Sequence, residues 1–363
     1  MSYDAILLSS FGGPEGLDDV IPFLERVTAG RDIPKERLAE VGTHYLTMNG
    51  VSPINTQNRQ LVSAIKDELV KRKLEIPIFW GNRNSEPFFT DALRKINSAG
   101  CRKVLAITTS AYSSYSGCRQ YRENLAQALV ETGLAESMTI DKVRSYFDHP
   151  GFVEPFITGL VSAVNEMQSE GLNFSDIHLL FTTHSIPNSM AETSGPPAMR
   201  GELIEGVYVA QHRATLSCVL EGTQLKLAEP APSWSLVYQS RSGAPHTPWL
   251  EPDIGDAIKE LAANGTKAVI VIPIGFISDH VEVVWDLDKV ASEIAEEQGL
   301  RFARVATPGI SGAFVSGIVD LLEERINSAE PLALSDLGPW PDRCPIGCCP
   351  NPRSDLPAIA QGS

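Results

Sequence analysis

The sequence predicts an α/β protein made of two Rossmann-like, doubly wound halves, each a parallel sheet covered by helices on both faces. Three observations carry this. Short apolar runs alternate with longer segments of helical period through most of the chain. The strand-like runs fall into two groups of four, parted near His149-Pro150-Gly151. Polar and glycine-bearing clusters follow these runs directly, where open α/β sheets bind their ligands.

The first group of strands is expected at Ala5–Leu8, Ile76–Trp80, Lys103–Thr108 and Val143–Phe147, the second at His178–Thr183, Ser235–Gln239, Ala268–Pro273 and Phe302–Ala306. Amphipathic helices are expected between them, at Leu17–Val27, Thr56–Lys71, Glu86–Ala99, Tyr121–Glu131, Gly151–Glu170, Glu202–Leu220, Asp253–Ala263, Val281–Gln298 and Ser311–Ile326. This divides the chain into a first domain over 1–148, a second over 149–310, a helix over 311–326 that crosses back to brace the first domain, and a tail over 327–363. Asn188–Pro197 reads as a surface loop. The tail, rich in proline and with three cysteines, has neither period and needs a staple to be ordered.

At 363 residues with 43% hydrophobic content the chain can bury two ordinary cores. Its net charge of -15 disfavours nucleic acid and anionic lipid as partners. No run is long enough for a membrane span, and no leader is evident, so a cytoplasmic protein is expected. Six cysteines are too few for a disulfide scaffold in a chain of this size.

Two constellations could carry chemistry. His184 closes the apolar run Leu179–Thr183 and suits a base or a metal ligand. Glu282 and Asp286 stand four apart, on one face of a helix, between Asp279 and Asp288. Like charges at that spacing do not help a helix, and together these carboxylates suit the path of a hard divalent cation. No Walker A loop, GxSxG elbow or HExxH motif is present. The second constellation is Cys344, Cys348 and Cys349, three thiols within six residues. Structural zinc and an iron–sulfur cluster are both open to it, and Cys118, in a loop after a strand, is the best fourth ligand.

Six motifs in order, LSSFGGPEG from Leu8, GVSPIN from Gly50, GNRN from Gly81, THSIP from Thr183, QSRSG from Gln239 and PIGFISDHVEVVWDLD from Pro273, resemble the ferrochelatases, most closely the coproporphyrin ferrochelatases of actinobacteria. The resemblance implies a class II chelatase-like pair of domains with a porphyrin cleft between them. It implies that His184 and Glu282 are the catalytic pair at the metal, Fe²⁺, and that Ser52 and Tyr121 contact the porphyrin. Asp286 and Asp288 would back Glu282 as the metal path. Phe11 falls where some relatives carry a metal-reaching tyrosine, and it cannot ligate. The resemblance also implies a [2Fe-2S] cluster on Cys118, Cys344, Cys348 and Cys349. Arg26, Arg31 and Arg119 are candidates to meet the propionates. The polar stretch Asn188–Gly195 favours the four-carboxylate coproporphyrin III as substrate, and a monomer with no membrane span is expected. A protoporphyrin IX ferrochelatase and a non-catalytic porphyrin carrier are the alternatives, with a chelatase for another tetrapyrrole and an iron–sulfur sensor behind them.

Overall fold

The computed structural model describes residues 3–30, 35–203, 205–228, 230–242 and 246–362. Two four-stranded parallel sheets form the frame. The first contains β1 (Ala5–Ser10), β2 (Ile78–Asn82), β3 (Lys103–Thr108) and β4 (Thr139–Lys142) in the order β2-β1-β3-β4. The second contains β5 (Ile177–His184), β6 (Ser233–Gln239), β7 (Ala268–Ile272) and β8 (Arg301–Arg304) in the order β6-β5-β7-β8. The second half thus repeats the path of the first. All six strand pairings are parallel, with Leu8 against Trp80 and Ile107 in one sheet and Phe181 against Leu236 and Ile272 in the other. Every residue of β1 and of β7 is buried, because helices cover both faces; this is why these runs are apolar throughout instead of alternating.

The helices are α1 (Leu17–Val27), α2 (Lys35–Leu46), α3 (Ile54–Lys71), α4 (Phe89–Ser98), α5 (Gln120–Glu131), α6 (Pro150–Ser169), α7 (Asn188–Glu192), α8 (Gly206–Leu227), α9 (Ile254–Ala263), α10 (Val281–Val283), α11 (Ser292–Glu297) and α12 (Gly312–Ile326). A π-helical stretch, Val284–Ala291, joins α10 to α11, and a π-helical turn, Tyr115–Arg119, leads into α5. One apolar body links the halves. Ile6, Leu8 and Ile107 of the first sheet and Leu179, Phe181 and Ile272 of the second share it with Phe152 and Phe156 of α6 and Phe314 and Ile318 of α12.

α6 begins at the junction of the halves, with Pro150 in its first turn and the His149 imidazole accepting from the Gly151 amide. α12 packs on α6 and α3. Arg72 of α3 holds it by hydrogen bonds to Asp320 at 2.6 Å, Glu323 at 2.7 Å and the Ser316 hydroxyl at 2.7 Å. The α6–α12 crossing is set by glycine: a Cβ on Gly151 would lie 2.5 Å from the Ala313 carbonyl and 2.7 Å from the Gly317 Cα.

Some expectations are corrected. The fourth strand is Thr139–Lys142, not Val143–Phe147. Pairing with β3 ends there, after which Val143 donates to Ala106 and the chain turns inward, buried but out of the sheet. The apolar run marked burial, and the half-polar segment before it carried the ladder. The helix placed at 202–220 runs Gly206–Leu227. The α2 helix was not foreseen, and the expected loop 188–197 begins with the short α7. The tail has no regular element beyond an isolated bridge of Cys344 to Gln361, yet it is tied down. Trp340 packs edge-on against Phe147 at 5.9 Å, Ser335 donates to Asp148 at 2.7 Å, and Arg144 donates to the Leu332 carbonyl at 2.7 Å.

A Gly317→Ala protein, whose new methyl meets His149 and Gly151 at 2.9 Å, is expected to lose about 1–3 kcal/mol of stability from overpacking, read as a lower urea midpoint by circular dichroism.

Candidate functional site

β5 and β7 flank the switch point of the second sheet, where strand order reverses and a crevice opens at the carboxyl ends. His184 ends β5, and the segment after β7 leads to Glu282 in α10. A buried polar column fixes the end of β5. The Tyr208 hydroxyl sits 2.9 Å from the His184 carbonyl and 3.0 Å from the Thr183 hydroxyl, and Thr183 lies 2.8 Å from His212 Nε2. Burial depresses the His212 imidazole to a pKa of about 3, so it is neutral and takes part only in hydrogen bonds. Tyr112, from the loop after β3 in the other half, stacks on His212 at 3.6 Å and donates to the Ile274 carbonyl at 2.9 Å. Gly275 completes the fit: a Cβ there would lie 2.2 Å from the Thr183 hydroxyl.

His184 Nδ1 lies 2.5 Å from the Ser185 carbonyl, so Nδ1 carries a proton and Nε2 is the nitrogen turned into the crevice. That nitrogen faces a Glu282 carboxylate oxygen at 3.6 Å, with the His280 Nδ1 at 4.0 Å from the same oxygen. A nitrogen and a carboxylate oxygen so placed are the mixed donors that a divalent cation or a shared proton would meet. Both side chains reach solvent, His184 at 33% exposure and Glu282 at 51%. Asp286 lies behind Glu282, with Ser240 and Gln239, at the end of β6, donating to its carboxylate. Burial pushes the Asp286 carboxyl up to about 6, the Ser240 bond works against this, and the charge of Glu282 adds to it. A cavity of about 210 Å³ adjoins Asp286 and is lined also by Ser240, Arg241 and Asp253.

Asp288 does not join this row. Two residues on from Asp286 it faces elsewhere, and its carboxylate is held by Arg304, with Nη2 at 3.0 Å. Arg304 also donates to Asp279 at 3.1 Å, so both flanking acids are neutralised by one arginine of β8.

The first half closes over the pair. Val281 packs among Val20, Phe23, Leu24, Leu38 and Tyr45 of α1 and α2, with Phe11 against the same cluster. His44 stacks on Trp285 at 4.1 Å, and the Asp279 amide donates to Gln57 of α3 at 2.9 Å. Ser52 and Tyr121 are both buried. Ser52 lies under the Phe11–Pro14 loop, its amide bonded to the Pro14 carbonyl, and the Arg83 guanidinium covers the Tyr121 ring at 4.8 Å and the Phe11 ring at 5.3 Å. Arg83 was not singled out from the sequence, though it is the charged residue of the GNRN motif. Of the arginines that were, Arg119 is buried in an ion pair with Glu123 at 2.8 Å and is not free to meet a ligand. Arg26 donates to the Asn84 carbonyl at 2.7 Å, and Arg31 lies outside the described residues.

The structure brings Cys118, Cys344, Cys348 and Cys349 into one cluster, all as free thiols. Ser114 holds the turn bearing Cys118 by accepting from the Gly117 amide at 2.8 Å. Cys348 and Cys349 sulfurs are 3.9 Å apart, and the Gly195 amide donates to Cys349 at 3.1 Å. Hydrogen bonds from Cys118 and Cys348, then the charges of Lys142 and Arg122, draw the Cys344 thiol well below its usual range; Cys118 and Cys348 are pushed up in turn. Among the described residues no three His, Cys, Asp or Glu side chains converge as they would around a single ion. A two-iron cluster takes its four thiolates as two pairs, one to each iron, and does not require such convergence.

A family model described as Ferrochelatase matches residues 3–326. The chain belongs to the ferrochelatase family. It is 51% identical over 372 residues to the coproporphyrin III ferrochelatase of Leifsonia xyli, covering 99% of this chain and 94% of that protein. It is 50% identical over 365 residues to the coproporphyrin III ferrochelatase of Streptomyces coelicolor, covering 99% of this chain and 96% of that protein. Among solved structures, SirB from Bacillus subtilis superposes with a TM-score of 0.50 at 9% identity, covering 90% of this chain and 98% of SirB, a likeness of fold alone. The chain is therefore a metal-inserting enzyme of ferrochelatase type, built as two Rossmann-like halves.

A carboxyl held above its ordinary value weakens the folded state once it ionises. For Asp286 that penalty grows between about pH 4 and 6 and is complete above. Asp286→Asn is expected to be more stable than the parent at pH 8 by about 1–3 kcal/mol, the difference shrinking toward pH 4, in urea denaturation at both pH values.

Proposed function

We propose that this ferrochelatase inserts Fe²⁺ into coproporphyrin III, with His184 and Glu282 as the catalytic pair. The observation that carries the reading is His184 Nε2 set against the Glu282 carboxylate at 3.6 Å, at the seam between the halves. Insertion exchanges two pyrrole N–H protons for one Fe²⁺. An imidazole with Nε2 directed into the cleft and Nδ1 held by a carbonyl suits proton acceptance. Glu282, partly exposed and backed by Asp286, suits passage of the metal or of the released protons. Asp288, committed to Arg304, is left out of that path. Ser52 and Tyr121 would meet the macrocycle from the first half, where the loops over them must open or shift to admit it.

Coproporphyrin III is favoured over protoporphyrin IX on two grounds. The relatives at 51% and 50% identity are named for it. The α7 segment after His184 also presents asparagine, serine and glutamate, and no helix among the described residues is long and apolar enough to cross a membrane.

Mixed anaerobically with Fe²⁺, the protein is expected to metalate coproporphyrin III faster than protoporphyrin IX, followed by visible absorbance. His184→Ala and Glu282→Gln should each lower turnover by about two to four orders of magnitude. Binding of the porphyrin with no metalation by the parent protein would favour a carrier instead.

We further propose that Cys118, Cys344, Cys348 and Cys349 hold a [2Fe-2S] cluster. Four clustered thiols, three of them buried and one half-buried, and two buried cations nearby, Lys142 and Arg122, fit an anionic group at this place. When bound, such a cluster supplies a one-electron redox centre and a covalent staple from the tail to the α5 turn. Cys349→Ser is expected to keep its far-ultraviolet circular dichroism and lose visible colour, iron and acid-labile sulfide.

A further inference from the structure

Two cations are buried beside the cysteines with no carboxylate paired to them among the described residues. Arg122 of α5 is 2% exposed. Its Nε donates to the Ile359 carbonyl at 2.8 Å, but Nη1 and Nη2 are buried with no partner. Lys142, last in β4, is 6% exposed, and its ammonium donates to the Val143 carbonyl at 3.1 Å. Their neighbours are provided for differently: Arg119 is paired with Glu123 at 2.8 Å and Arg144 with Glu324 at 2.8 Å. An uncompensated buried charge costs several kcal/mol, so a fold that keeps two of them side by side has something opposite in sign to meet.

Both stand by the cysteine cluster. Arg122 lies four residues on from Cys118, and the Ile359 carbonyl that it holds precedes Ala360, whose own carbonyl accepts from the Cys344 amide. Lys142, from β4, acts by its charge on Cys118, Cys344 and Cys348. Four neutral thiols would leave both cations unbalanced and four bare thiolates would overshoot them; thiolates at Cys344 and Cys349, the two thiols drawn down, would match them without a cluster. Two ferric ions and two sulfides on four thiolates carry a net charge of minus two, which two cations match.

Resting on the [2Fe-2S] reading above, we infer that Arg122 and Lys142 are the counter-charges of the tetracysteine site, and that they set the reduction potential of the cluster it holds. The two free guanidinium amino groups are the donors available to cluster and cysteine sulfurs. One-electron reduction turns one ferric ion ferrous and takes the net charge from minus two to minus three. Buried positive charge and N–H donors favour the more negative state, so they raise the potential. Removing either cation lowers it and weakens retention of the cluster. Arg122 and Lys142 hold and tune the group and take no part in metalation.

The test uses the full chain purified anaerobically as the parent, Arg122→Gln, Lys142→Gln and Arg122→Lys. Iron and acid-labile sulfide are assayed, and the visible spectrum is titrated with dithionite against redox dyes. In each glutamine variant the reduced-to-oxidised ratio at a given potential should fall tenfold or more, a shift of about 59 mV or more. Release of iron to a chelator should be faster, while Arg122→Lys should recover most of the potential. Glutamine variants that hold the cluster with unchanged potential and unchanged release would overturn the inference. A parent protein free of iron and sulfide would instead sink the cluster reading, a separate result seen before any variant is made. Should Arg122→Gln fail to fold, Lys142→Gln carries the same comparison.

Discussion

The seam between the two sheets depends on one buried polar column, Tyr112–His212–Thr183–Tyr208, ending at the His184 carbonyl. Each member is buried, so each hydrogen bond must be kept or its group is stranded away from water. The column takes Tyr112 from the loop after β3 of one half and grips the end of β5 in the other. It therefore fixes the two sheets and the backbone that carries His184 with the same contacts. The His184 ring adds the bond to Ser185 and turns Nε2 toward Glu282.

From this fixed wall the rest of the site follows. Glu282 arrives from the next strand across the switch point, and its helix is pinned from the opposite half by the α1–α2 apolar cluster and by His44 on Trp285. Between them a rigid histidine faces a more exposed carboxylate. Such asymmetry is what the proposed roles ask for, one group holding position while the other passes the metal or the released protons. The π-helical stretch after Glu282 leaves Asp286 bonded to the end of β6 and Asp288 on Arg304, so only one of the two carboxylates continues the row. The cysteine cluster stands apart from this pair, where α5, β4 and the tail meet, and buries two cations that the catalytic site does not use.

The α/β class, the two sets of four strands, the strand-end position of His184 and the grouping of the tail cysteines with Cys118 were legible in the amino-acid sequence, while the pairing of His184 with Glu282 came from the resemblance to the ferrochelatases. The legible features are local signals: an apolar run records burial, spacing records a face, and the glycine and proline clusters record where strands stop. Tertiary structure alone decided the fates of charges and of pairing. Asp279 and Asp288 look free in the sequence and are neutralised in the fold by Arg304 from β8. Lys142 and Arg122 look like ordinary surface residues and are buried beside sulfur, because β4 begins four residues earlier than its apolar neighbour implies and the tail closes over α5. Periodicity tells which side of an element is covered. What covers it, and whether a charge there meets its opposite, depends on residues far away in the chain and so on topology.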